Sequence, residues 1–349
     1  MTNAIKIFLP SVVAFIIGIS ITPIATHYFY KYKLWKKKSR SENIAPGSIQ
    51  RFHDSKSEVS TPRVGGIIIW LSVVFTIFLI GFLYMLLPSA ITEKLYFISR
   101  DQTLVPLFTL IIASLLGLMD DLIQIFGRGT WATDPIKLRY IKVSIIVLFS
   151  TLISFWFFDK LEISSVYVPF LGFIELGFLF IPFFILVTLS VWSSSVIDGI
   201  DGLSGGVLAS VFASFALIAF FNNQINLSVF CSVVTGGILS FLWFNIPPAR
   251  FYMGETGMLG LTMTLSVIAF LTDTVLLLPI IALPLFATVV SNVLQIASRK
   301  FRNGKKVFLF APLHHHFEAI GWSKSKVTMR YWIVGLMSAI LGVVLFLIS

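Results

Sequence analysis

Long, uninterrupted apolar runs are the feature that most constrains this chain. Ten of them recur along its length, at roughly 4–26, 65–87, 103–119, 143–158, 174–192, 206–221, 226–244, 258–272, 275–297 and 331–348. About twenty apolar residues in a helix span a bilayer core. Continuous runs without alternation read as helices rather than barrel strands, because lipid leaves a backbone no other way to satisfy itself. Hydrophobic residues make up 57% of the chain and charged residues only 12%, about half the charge of a soluble domain. The expected architecture is an all-α integral membrane protein of about ten transmembrane helices, a single polytopic domain over residues 1–349.

Basic residues in short loops mark the cytoplasmic side of a membrane protein. With these ten spans, the odd-numbered loops hold 22 of the 26 Lys and Arg, the even-numbered loops 3, and Lys6 stands alone near the N-terminus. This asymmetry puts both termini on the outer face and five loops, 27–64, 120–142, 193–205, 244–257 and 298–330, in the cytoplasm. The +10 net charge is then orientation signal and headgroup attraction, with no nucleic-acid partner implied. A lone cysteine, Cys231, excludes an intramolecular disulfide. The stretch "DKLEISSVYVPFLGFIELG" (159–177) has the β-branched character of a small hairpin on the outer face.

Ten of the sixteen carboxylates and all five histidines fall in the inner loops or at their helix ends. Acidic residues do little to set topology, so their gathering there calls for a chemical reason. Asp120 and Asp121 are adjacent in "GLMDDLIQ", readable as a solvated cap or as an oxygen-rich divalent-metal or base site. "VWSSSVIDGIDGLSGG" carries Asp198 and Asp201 with no basic neighbour, and a bound cation is the simplest partner for them. "FNIPPARFYMGETGMLG" offers Asn245 and Glu255, as helix-end residues or as ligands. In "RFHDSKSEVSTPRVGG", Lys56, Thr61 and the glycine pair could contact phosphate oxygens. "APLHHHFEAIGW" sets His314, His315 and His316 side by side after Pro312. Adjacent side chains fan around a helix and cannot form a two-histidine zinc face. At a helix entry they can present donors to an anion. A satisfied structural cluster is the bland alternative. Together the loops suit phosphoryl transfer between a soluble nucleotide-activated donor and a lipid phosphate.

Nearly the full length resembles the polyprenyl-phosphate N-acetylhexosamine-1-phosphate transferases. The most specific piece, "NGKKVFLFAPLHHHFEAIGWSKSKVTMRYWIV", is similar to their muramoyl-pentapeptide branch. The resemblance implies a Mg²⁺-dependent phosphoglycosyl transferase of the bacterial inner membrane, working on its cytoplasmic face as a homodimer. Its implied donor is UDP-N-acetylmuramoyl-pentapeptide and its acceptor undecaprenyl phosphate. Asp120, Asp121 and Asp198 match the family's catalytic aspartates, and Asp120 is the candidate base. Asp198, Asp121 and Glu255 match metal-binding positions. Lys56, Thr61, Arg128, Lys142, Ser195, Asn245 and the three histidines match substrate-binding positions. The chain departs from the pattern where Trp192 and Ser195 replace two asparagines, where Glu255 replaces an aspartate, and where Gln124 replaces a basic residue. These departures keep two alternatives open: a relative using another UDP-N-acetylhexosamine donor, and a catalytically lapsed paralogue acting as a binding protein.

Overall fold

A computed structural model describes residues 3–35, 60–127 and 135–349. Its helices in chain order are α1 (Asn3–Lys31), α2 (Gly66–Leu86), α3 (Ala90–Leu95), α4 (Val105–Phe126) and α5 (Pro135–Lys160). A hairpin of β1 (Ser165–Val168) and β2 (Gly172–Glu175) follows. Then come α6 (Phe180–Ser193), α7 (Leu203–Phe221), α8 (Ile225–Asn245), α9 (Gly254–Leu271), α10 (Leu278–Ile281), α11 (Leu283–Phe301), α12 (Leu313–Ala319) and α13 (Lys324–Ile348). Among the described residues nine helices are long and apolar enough to cross a membrane. The chain is a multi-pass membrane protein.

Nine of the ten expected runs are matched by these helices. The remaining run, 275–297, is broken into α10 and α11 at Ala282, with Pro279 and Pro284 in the first turns of the two pieces. Proline suits a first turn because the N–H it lacks has no partner there, so the run restarts instead of continuing. The hairpin expected within 159–177 forms. It is antiparallel, Val166 opposite Ile174, and turns through Phe170 and Gly172 at positive φ.

Helices α7, α8 and α9 form the centre, and α9 is the most enclosed. Around them α1, α2, α4 and α5 turn Phe8, Phe78, Phe108 and Leu148 outward, toward the position of lipid. Where apolar surface gives no advantage to helix contact, small residues let backbones approach. Gly18 and Ser240 do this between α1 and α8, and Gly260 and Ser114 between α9 and α4.

The polar ends of the bundle differ. At one end Asn222 and Gln224 donate to the carbonyls of Thr272 and Leu271, and Tyr167 of the hairpin donates to the Ser349 carbonyl. At the other end the described parts of all five odd-numbered loops meet.

Candidate active site

The centre of that second end is the start of α9. Asp121, buried in the last turns of α4, accepts the Thr256 N–H at 2.9 Å, the Thr256 Oγ1–H at 2.7 Å and the Glu255 N–H at 3.3 Å. These are donors that a helix start leaves without intrahelical partners. Gly254 precedes them at φ +67°. A Cβ there would lie 1.9 Å from the Arg63 carbonyl and 2.5 Å from Asp121 Oδ2, so only glycine fits. The end of the loop before α2 is sewn to the same place: the Tyr252 N–H donates to Pro62, and Gly65 and Gly66 donate to Tyr252 and Met253. Gly66 lies so near Gly257 that a Cβ would come within 2.2 Å of its nitrogen. The glycine pair, expected to approach phosphate, here lets two backbones pack.

With α9 fixed this way, Glu255 in its first turn meets Lys142 of α5. Lys142 Nζ donates to Asp120 Oδ2 at 2.8 Å and to Glu255 Oε1 at 3.1 Å. Gln124 also donates to Asp120 Oδ2, at 2.6 Å, so a neutral amide shares this oxygen with the Lys142 ammonium. Glu255 Oε2 is buried with no partner among the described residues.

The DGIDG turn packs against this group. Asp198 accepts the Ser204 hydroxyl at 2.7 Å and the Gly254 N–H. Burial raises its carboxyl above the ordinary carboxylate range, against the opposing pull of Ser204 and the Arg63 charge. Asp201 accepts the Ala249 N–H. Asn245, buried at the end of α8, takes the Gly202 N–H on its oxygen at 2.9 Å and donates to the Phe251 carbonyl at 2.8 Å. Its amide therefore joins two loops. Trp332 of α13 donates to the Gly202 carbonyl. Ser195 turns its hydroxyl back to the Trp192 carbonyl, and the Trp192 indole N–H is buried without a partner among the described residues.

The three histidines ride on the short helix α12, where the rings of His314 and His315 meet edge to face with centroids 4.3 Å apart. A Cβ on Gly199 would lie 2.7 Å from His314 Nε2 and 3.3 Å from His315 Nε2, so two rings face the DGIDG turn. His316 points elsewhere, its Nδ1 accepting the Leu309 N–H at 3.2 Å. Helix α12 is held by a polar stripe on α11. Ser291 accepts the Leu313 N–H, Gln295 bonds the N–H groups of Val307 and Phe308 and the Phe308 carbonyl, and Ser298 donates to the Lys305 carbonyl.

Of the expected residues, Asp120, Asp121, Lys142, Asp198, Asn245, Glu255, His314 and His315 are thus linked at one end of the bundle. Thr61 is buried in the adjoining first loop. Lys56 and Arg128 lie outside the described residues. Among the described residues no three of His, Cys, Asp and Glu form a ready metal shell. The sequence reading missed Thr256, Ser204, Gln295 and Glu318. A polar stripe at 291, 295 and 298 on an apolar run was the available signal for Gln295, since those spacings share one helix face.

Residues 103–273 match the family model of Glycosyl transferase family 4. The chain is 33% identical over 336 residues to the phospho-N-acetylmuramoyl-pentapeptide-transferase of Geobacillus sp. (strain WCH70), covering 95% of each chain. It is 32% identical over 334 residues to the enzyme of that name from Bacillus subtilis (strain 168), covering 94% of each. With its counterpart from Chloroflexus aggregans it shares 30% identity over 347 residues, 96% of this chain and 88% of the relative. Full-length likeness of this order shows that the chain belongs to the phospho-N-acetylmuramoyl-pentapeptide-transferase family of membrane phosphoglycosyl transferases.

Proposed function

We propose that this protein transfers phospho-N-acetylmuramoyl-pentapeptide from its UDP conjugate to undecaprenyl phosphate, releasing UMP, at the cytoplasmic face of the bacterial inner membrane. The observation that carries this reading is the meeting of Asp198, Glu255, Asp120 and Lys142 with the Nε2 atoms of His314 and His315 across one glycine turn. Carboxylates and basic groups set together at a membrane boundary suit a diphosphate donor and a lipid-bound phosphate acceptor.

Asp198 and Glu255 would hold Mg²⁺. Two carboxylates are enough, because this ion keeps waters and takes its remaining oxygens from substrate phosphates, and the unpartnered Glu255 Oε2 fits such a role. When bound, the ion would offset the charge of the donor diphosphate. Lys142 and Gln124 hold one oxygen of Asp120, leaving the other to take a proton from the acceptor phosphate. Asp121 keeps α9, and hence Glu255, in place. The Nε2 atoms of His314 and His315 meet the donor over Gly199. Homodimerisation belongs to the same proposal by likeness to the family.

The test is transfer by purified protein given undecaprenyl phosphate, labelled UDP-N-acetylmuramoyl-pentapeptide and Mg²⁺. Label in the lipid phase that EDTA abolishes is expected. Asp198→Asn is expected to lose roughly 10³-fold in kcat, the scale of removing one group aimed at transition-state charge. Full activity of that variant, or turnover only with a UDP-N-acetylhexosamine lacking the peptide, overturns the assignment.

A further inference from the structure

The segment 298–330 contains eight Lys and Arg but one carboxylate, Glu318. An acid among so many cations at a membrane surface would ordinarily reach for one of them. Glu318 instead turns inward. Its side chain is 5% exposed, and Oε2 lies 2.6 Å from Nδ1 of His315, itself 13% exposed. The two residues are three apart on α12, the spacing that brings side chains together on one helix face.

This contact has a directional consequence. A carboxylate accepts, so the hydrogen in the contact belongs to His315 Nδ1. The opposite nitrogen, Nε2, is the one facing Gly199 in the DGIDG turn. His316 has the reverse arrangement: its Nδ1 accepts the Leu309 N–H, so any proton of a neutral ring sits on Nε2. Two neighbouring histidines are therefore fixed in opposite senses by different partners. His315 has a carboxylate behind it, the arrangement that orients histidine rings in metal sites and in catalytic triads.

We propose that Glu318 is a positioning residue of the transfer reaction, holding His315 by its Nδ1–H so that the Nε2 lone pair is aimed at a hydroxyl or N–H of the donor over the Asp198–Gly202 turn. This role rests on the transferase reading above. Glu318 itself touches neither substrate nor reacting atoms.

The test combines kinetics with a direct view of the ring. Glu318→Gln keeps an acceptor for Nδ1–H but removes the charge, and Glu318→Ala removes both. Losing an outer partner of a functional histidine costs about 10- to 100-fold. Glu318→Gln should therefore lie near the lower figure and Glu318→Ala near the upper, mainly as a raised KM for the UDP donor with KM for the lipid unchanged. Imidazole ¹⁵N shifts of histidine-labelled protein, with His315→Gln for assignment, should show Nδ1 protonated in the parent and a mixed state in Glu318→Ala. A variant that only misfolds would lower the active fraction and leave both KM values alone, which overturns the role. An active parent with an indifferent Glu318→Ala overturns it too. A parent inactive with this donor removes the transferase reading and this role together, and the ring shifts then report whether the Glu318–His315 geometry survives without it.

Discussion

Two carboxylates at this site are spent in opposite ways. Asp121 gives its lone pairs to three donors of the α9 start, so removing its acceptor oxygens leaves buried donors unsatisfied, at about 1–3 kcal/mol. Asp121→Leu should lower the melting temperature in detergent as well as activity. Asp198 has fewer such bonds, from the Ser204 hydroxyl and the Gly254 N–H. Burial raises its folded carboxyl above the unfolded value, so the stabilising proton is present at low pH and lost as pH rises through the raised value. Ionised Asp198 therefore costs stability at neutral pH. In EDTA, Asp198→Asn should melt at or above the parent at pH 7, with the advantage vanishing near pH 4. A variant less stable than the parent at pH 7 would show that the carboxylate holds the fold together. Loss of turnover without loss of stability is the signature that separates this residue from Asp121.

At the scale of elements, the site is a set of helix ends held by loops, and the stripe Ser291, Gln295 and Ser298 on α11 is the handle for the histidine helix. Gln295→Leu removes three hydrogen bonds to 307–308. Trypsin should then cut faster after Lys305 and Lys306, while cleavage elsewhere is unchanged. On the other side, a Cβ on Gly117 would lie 2.2 Å from the Glu255 carbonyl. Gly117→Ala must push α4 from α9, costing about 1–3 kcal/mol by overpacking, and should reduce transfer by displacing Glu255. These elements were unequally legible in the sequence. Continuous apolar runs announce helices because lipid permits little else, yet Pro279 and Pro284 are read as breaks only once helices are seen to start there. Charged residues stood out against an apolar background. Their fixed partners did not: Thr256 and Gln295 are neutral, and Lys142 joins carboxylates 22 and 113 residues away, a proximity that no local pattern encodes. Glycines 65 and 66 looked like phosphate contacts because a missing side chain reads the same whether a ligand or a helix fills the space.

Across the whole molecule, the two ends differ in charge as much as in chemistry, which supports placing the site inside the cell. Cys231 is fully buried and gives a silent background for labelling. Asn303→Cys in the basic segment should react with a membrane-impermeant maleimide only in inverted vesicles, and Leu171→Cys at the hairpin tip only in intact spheroplasts. The reverse pattern would move the site to the outer face. The same long-range architecture also sets an order of manufacture. Asp121 and Thr256 are 135 residues apart, so at about 5–20 residues per second the carboxylate enters the membrane roughly ten seconds before its partner is synthesised. The histidines emerge later still. A ribosome that stalls before α12 leaves a chain with nearly all of its membrane helices and without the histidine helix, so the site is completed almost at the last codons, long after the chain has become a membrane protein.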